Sequence, residues 1–274
     1  MGGVEYDALV TGNRGGFELS AVRDIDAPRA STAPRRSAPG PADGRVALVT
    51  AGSRGLGLQI VRMLAERGMR VVLACRSVDS GRFAIDLLGN LDGRVAVRQL
   101  DTTDPASVER LTSWLDQRLG RCDVLVNNAA VPIDDDGDAA TVDLDLVRRT
   151  LEKNLLGTWR LTQAVAPLMR ACRYGRIVNI CSGLGTRAPI GRSLAVYRVS
   201  TGMVGSLTRV LAEELAEDGV LVNACCPELT DDDAWDSHDS KRLAASADTP
   251  VWLAMLPDDG PTGRLYRGRT PVDC

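Results

Sequence analysis

From Gly44 to the C-terminus, short apolar runs rich in β-branched residues alternate with longer amphipathic stretches. The runs predict strands at 46–50, 70–75, 95–100, 124–127, 176–181 and 220–225, with a short one at 264–266. The stretches between them carry apolar residues at helical spacing. They predict helices over 55–67, 80–88, 105–119, 144–171, 195–217 and 240–253. Strands alternating with helices imply right-handed crossovers, and so an α/β fold: a doubly wound parallel sheet covered on both faces. Such a sheet places its ligand crevice at the carboxyl ends of its strands. The residues just after each strand are therefore the candidates for chemistry.

Residues 1–43 break this pattern. From Asp26 to Asp43 the chain reads DAPRASTAPRRSAPGPAD, with four prolines and almost no large apolar residue. Such a stretch buries too little surface to offset its ordering entropy, and it reads as a disordered N-terminal extension. Upstream, ALVTGNRGGFEL at 8–19 echoes ALVTAGSRGLGL at 47–58. The first copy has a shortened glycine turn and no full helix behind it, so it reads as a vestige or a chance match rather than a phosphate site. The organisation expected is one folded domain, 44–274, behind that extension.

Composition excludes several function classes. A net charge of -3 argues against a general nucleic-acid binder, which normally shows a basic face. No apolar run approaches the roughly 20 residues that span a bilayer. The seven cysteines form no C-x-x-C pair, and their scattered placement suggests reduced, mostly buried thiols in a cytoplasmic protein. His238 is the sole histidine and sits among acidic residues, as an exposed loop residue would. It supports neither a histidine metal site nor a serine–histidine pair.

The first predicted strand runs into Thr50-Ala51-Gly52-Ser53-Arg54-Gly55-Leu56-Gly57. A glycine-rich turn opening a helix lets backbone N–H groups approach a pyrophosphate, which the helix dipole also favours. Alone, such a string also suits an ordinary strand-to-helix turn. The second strand ends Ala74-Cys75-Arg76-Ser77, without the acidic residue that would bind a ribose 2′-hydroxyl. Arg76 and Arg54 suit a 2′-phosphate instead, so NADP(H) is favoured over NAD(H).

Further strings follow in order: Asp101 after the third strand, Asn127-Asn128-Ala129-Ala130 after the fourth, and Asn154-Leu155-Leu156-Gly157 on the long helix. Then come Asn179-Ile180-Cys181-Ser182, Tyr197-Arg198-Val199-Ser200, and Val222-Asn223-Ala224-Cys225-Cys226-Pro227. The set resembles the short-chain dehydrogenase/reductase family, in particular its carbonyl-reductase-like branch, over residues 44 to about 268. The resemblance implies a Rossmann-type fold. It implies Thr50, Gly52, Ser53, Arg54, Gly55, Leu56 and Gly57 at the cofactor phosphates, and Asp101 at the adenine amino group. Asn127 and Ala129 would support the cofactor, with Pro227 and Thr201 toward its nicotinamide end. Ser182 would bind the substrate oxygen, Tyr197 would pass it a proton, and Asn154 would hold a water on the proton path. A homodimer or homotetramer is implied as well.

Three positions depart from the family pattern. Ala51 stands where the family has glycine. If φ is positive there, the methyl group costs about 1 kcal/mol or more. Glu228 replaces a glycine after Pro227 and would put a carboxylate near the cofactor phosphates. Thr201 stands where the family has the lysine four residues after the tyrosine. That cation tunes the phenol, and a nearby charge moves an ionisable group by roughly 1–3 units. Thr201 carries none. Lys153 precedes Asn154 and so points about 100° away from it on a helix. Arg192 is the remaining basic candidate. Two acidic clusters, 134–138 and 231–236, would border the substrate mouth, more as solvated loop charge than as a steering field.

The expectation is an NADP(H)-dependent oxidoreductase interconverting a carbonyl and an alcohol on a small metabolite, slowed by Thr201. The alternative is a cofactor-binding or non-redox pseudoenzyme on the same fold.

Overall fold

A computed structural model describes residues 44–129, 139–181, 195–227 and 240–272. The elements in chain order are β1 (Val46–Thr50), α1 (Gly55–Glu66), β2 (Arg70–Cys75), α2 (Val78–Leu88), β3 (Val95–Gln99), α3 (Pro105–Leu119) and β4 (Val124–Asn127). Next come α4 (Leu144–Leu151), a π turn (Glu152–Leu156), α5 (Gly157–Cys172), β5 (Gly175–Ile180) and α6 (Ala195–Leu215). β6 (Val220–Cys225), α7 (Ser240–Ala254), β7 (Leu265–Arg267) and β8 (Thr270–Val272) complete the described chain. The sheet order is β3-β2-β1-β4-β5-β6-β7-β8, parallel except for the final β7–β8 hairpin. The chain winds outward from β1 in one direction and from β4 in the other. The β1–β4 boundary is therefore the topological switch point where a crevice opens.

Alternating strand residues feed two cores. Ala47 and Val49 face α1 and α7, while Val46 and Leu48 face α3, α5 and α6. Strands buried on both faces read as unbroken apolar runs, which is why β1, β2 and β4 stand out in the sequence. Local signals set the helix ends. Asp104 accepts from Ala106 N–H at 2.9 Å to cap α3, with Pro105 in its first turn. Gly120 ends α3 in the left-handed conformation, φ 65°. Ser77 caps α2 by accepting from Ser80 N–H, so that helix starts at Val78, two residues before its apolar pattern begins.

The long helix expected over 144–171 is interrupted. At the π turn, Gly157 N–H reaches back five residues to the Glu152 carbonyl. β8 extends the sheet beyond the strands predicted. Its hairpin turn, Gly268–Arg269, has φ of 52° and 60° at its two positions, the geometry that matches strand twist. Arg269 holds this strained conformation through a paired contact with Asp248 of α7 (2.6 Å each) and its own N–H to Thr249 Oγ1.

Cys75, Cys122, Cys181, Cys225 and Cys226 are buried free thiols, and Cys172 is exposed. Among the described residues no helix is long and apolar enough to cross a membrane. Residues 1–43, both acidic clusters, Ser182, Arg192, Glu228 and His238 lie outside the described residues.

Candidate functional site

The switch point is built around Thr50 at the end of β1. Its Oγ1 accepts from Asn128 N–H (2.9 Å) and Ala129 N–H (3.0 Å), tying the segment after β4 to β1. Asn128 Nδ2 donates to the Thr50 carbonyl at 3.1 Å and the Ala51 carbonyl at 3.4 Å. Ala51 takes φ 50°, the left-handed conformation that glycine adopts without strain. A Cβ on Gly57 would lie 2.3 Å from the Ala51 carbonyl oxygen and 2.6 Å from Asn128 Nδ2, so this position admits only glycine. Gly52 is closed in by Leu73 and Val61 and donates its N–H to Ala74 O. Leu56 is buried in the core and anchors the first turn of α1.

The start of α1 is chemically open. Arg54 occupies the N-cap without a side-chain capping bond, and no acidic residue lies in the first turn. Backbone N–H groups with a positive helix end behind them form a site for an anion such as a phosphate. Ser53 and Gly55 lie on the rim of the same turn, half-buried.

A second group of polar side chains runs through the core behind the crevice. Asn127 Nδ2 donates to Asn179 Oδ1 of β5 (2.8 Å) and to Thr162 Oγ1 of α5 (3.2 Å). Asn179 Nδ2 continues to Thr208 Oγ1 of α6 (2.8 Å). Thr162 Oγ1 donates to Thr158 O, and Thr158 Oγ1 to Asn154 O (2.9 Å). Asn154, 1% exposed at the π turn, donates from Nδ2 to Ser200 Oγ (3.1 Å), which donates on to Tyr197 O (2.8 Å). The structure thus joins Asn127, Asn154 and Tyr197, three of the residues singled out in the sequence, through one hydrogen-bonded path. Asn179, Thr158, Thr162, Ser200 and Thr208 were not singled out. Their signal was a polar residue inside an otherwise apolar strand or helix face, which must find a partner once buried.

Tyr197 is half-buried in the first turn of α6. Thr201 is fully buried, and its hydroxyl donates to Tyr197 O (2.9 Å) and Arg198 O (3.2 Å) of its own helix. Pro227 follows β6 at the same end of the sheet.

The other half of the crevice is charged. Asp101 accepts from Thr103 Oγ1 (2.7 Å) and Thr103 N–H (3.0 Å). These bonds, with the charges of Arg76 and Lys153, hold its carboxyl below the ordinary range against the opposing effect of burial. Lys153 is half-buried on the π turn, and there a downward shift disfavours the charged form. Burial first, then the neighbouring Arg76 and Arg54, lower its pKa, while Asp101 supports its charge. Arg54 and Arg76 are exposed.

The protein-family model for short chain dehydrogenase matches residues 45–243. The chain belongs to the short-chain dehydrogenase family. Within the short-chain dehydrogenases it is 34% identical over 272 residues to carbonyl reductase 3 (NADPH) from Homo sapiens, across 82% of this chain and 96% of that protein. It is 34% identical over 217 residues to a 3-oxoacyl-acyl-carrier-protein reductase of Vibrio cholerae, across 76% of this chain and 83% of that protein. A solved metagenomic short-chain oxidoreductase in complex with NADP aligns with TM-score 0.70 at 30% identity, covering 81% of this chain and 95% of that one. Carbonyl reductases recur among the relatives, and the chain is a member of their branch of the family.

Proposed function

We propose that this short-chain dehydrogenase is an NADP(H)-dependent oxidoreductase that interconverts a carbonyl and an alcohol on a small metabolite, slowed by Thr201. The observation that carries the reading is the connection of Tyr197 to Asn154 by way of Ser200, at the same sheet end as the uncapped start of α1. The residues fit a dinucleotide. The turn at 50–57 offers N–H groups to a pyrophosphate, and Asp101 offers acceptors to an amino group. Arg54 and Arg76 offer charge to a 2′-phosphate, with no carboxylate at the end of β2 to oppose it. When bound, the nicotinamide supplies or accepts the hydride.

The protein's own residues handle the proton. The Tyr197 phenol donates to the substrate oxygen as the carbonyl becomes an alcohol, and takes the proton back in the reverse direction. Ser182 holds that oxygen. Asn154, fixed by its bond to Ser200, orients a water that carries the proton onward. Thr201 supplies no charge to the phenol, and its hydroxyl is committed to the helix backbone. Such a site keeps positioning and loses part of the roughly 10²–10⁴-fold that acid–base tuning supplies.

Thr201 and Ala51 also support a second reading, a protein that binds the cofactor without turnover. Calorimetric titration with NADPH and NADH, followed by single-turnover oxidation of NADPH by a reactive diketone, separates the two. Oxidation of bound NADPH supports the enzyme. Tight binding with no oxidation across a panel of carbonyls supports the pseudoenzyme, and no uptake of either dinucleotide removes both.

The proposed assembly is a homodimer or homotetramer through α5 and α6, where Trp159, Val199, Met203 and Val210 leave apolar surface exposed. Light scattering at micromolar concentration tests it. The proposed compartment is the cytoplasm, in keeping with five buried free thiols.

A further inference from the structure

Two cations and one carboxylate stand where β1, β2 and β3 end, and all three act electrostatically on Lys153. Arg54 stands at the N-cap of α1, Arg76 follows β2 and Asp101 follows β3. Lys153 reaches the same place from the opposite wall, on the π turn between α4 and α5. That turn is pressed onto the segment after β3. A Cβ on Gly157 would lie 2.6 Å from Thr102 Oγ1, and Arg160 Nη1 donates to the Thr102 carbonyl at 2.5 Å. Lys153 and Gly157 are four residues apart, so they share the helix side that faces this segment.

The arrangement is electrostatically unbalanced. Asp101 already accepts two bonds from Thr103, and it faces Arg76 and Lys153 at once. Lys153 is half-buried, and both Arg76 and Arg54 oppose its charge. Withdrawing an ammonium from water beside two guanidinium groups is unfavourable on its own. A dianion placed between them turns the repulsion into attraction and compensates the ammonium for its lost hydration. A lysine ammonium also serves phosphate as a point charge from any direction its stem allows.

We propose that Lys153 is a specificity-determining residue for the 2′-phosphate of the dinucleotide, the third cation of that pocket, supplied by the π turn rather than by a strand end. The inference rests on the reading that this crevice takes NADP(H). Arg54 and Arg76 bound the phosphate from the sheet side, and Lys153 closes the pocket from the helix side. Asp101, fastened to its own loop, keeps the ammonium in place without neutralising the pocket.

The test is calorimetric titration of the full chain and its Lys153→Met variant with NADPH, NADH and adenosine 2′,5′-bisphosphate at low and moderate salt. The methionine keeps the apolar stem. The expected result is a loss of about tenfold or more for NADPH and for the bisphosphate, with NADH affinity unchanged. The salt dependence of NADPH binding should also weaken. Lys153→Arg keeps the charge and should retain the NADPH preference, and Lys153→Gln carries the comparison should the methionine variant not fold. Equal losses for NADPH and NADH, or no loss in any variant, overturn the assignment while leaving the dinucleotide reading intact. A wild-type protein that binds NADH as tightly as NADPH overturns it too, and one that takes up neither dinucleotide overturns both readings.

Discussion

The Thr201 hydroxyl donates to the Tyr197 carbonyl at 2.9 Å, four residues back along α6. The side chain that faces the phenol's own turn of helix is therefore spent on backbone. Replacing it tests the tuning directly. Thr201→Lys should raise kcat/KM for diketone reduction by roughly 10²-fold and move the pH–rate profile to lower pH, because an ammonium favours the phenolate. Steady-state rates from pH 6 to 10 check this. A folded variant with unchanged rates and profile sinks it.

Ala51 holds φ 50° without being glycine. Ala51→Gly relieves that conformation, though the unfolded chain gains freedom. The net stabilisation should be roughly 0.5–1 kcal/mol. For a domain of this size that is a rise in Tm of about 1–4 °C, read by calorimetry. A lower Tm would show that the methyl group packs favourably in the turn.

Gly57 faces the reverse constraint. A methyl group there meets the Ala51 carbonyl oxygen at 2.3 Å and Asn128 Nδ2 at 2.6 Å. Gly57→Ala should cost about 1–3 kcal/mol of stability and weaken NADPH at least tenfold, by opening the turn. Denaturant melts and dinucleotide titration measure the two losses separately.

Asn179 joins Asn127 to Thr208 in the middle of the sheet. Asn179→Ala leaves a buried amide and a buried hydroxyl each short of a partner, so the expected loss is about 2–4 kcal/mol. Urea unfolding gives the value. A loss below 1 kcal/mol would mean that water refills the gap.

Asp101 sets an acid-side dependence. Its folded pKa lies below its ordinary value, chiefly through the Thr103 hydroxyl. Between the two values the unfolded chain binds more protons, so its contribution to stability is present above the ordinary carboxylate value. It is lost as pH falls through the lowered one. Asp101→Asn should flatten the acid limb of the stability curve, and urea midpoints from pH 3 to 6 follow it. An unchanged acid limb would place the dependence on other carboxylates.

Strands β1, β2 and β4 were legible because each is buried on both faces, which leaves an apolar run that few other environments produce. The positive φ at Ala51 was anticipated only as a condition, from the family resemblance that places a glycine there. The π turn was not. Its apolar positions fit an ordinary helix, and the extra residue is absorbed by Gly157 packing on Thr102, a contact made only in three dimensions. β8 escaped for a similar reason. It is three residues long, and only Gly268 of its turn carries a local preference for positive φ, while Arg269 is held by Asp248 of α7. Ser200 and Asn179 look like incidental polar residues until the elements around them close.

The surplus residue between Glu152 and Leu156 also acts as a phase shifter. Each residue removed from a helix rotates everything beyond it by about 100° and draws it in by about 1.5 Å. Deleting one position there would swing Arg160 off the Thr102 carbonyl and turn Trp159 toward a different neighbour. The two walls of the crevice are thus kept in step by a count of residues as much as by their identity.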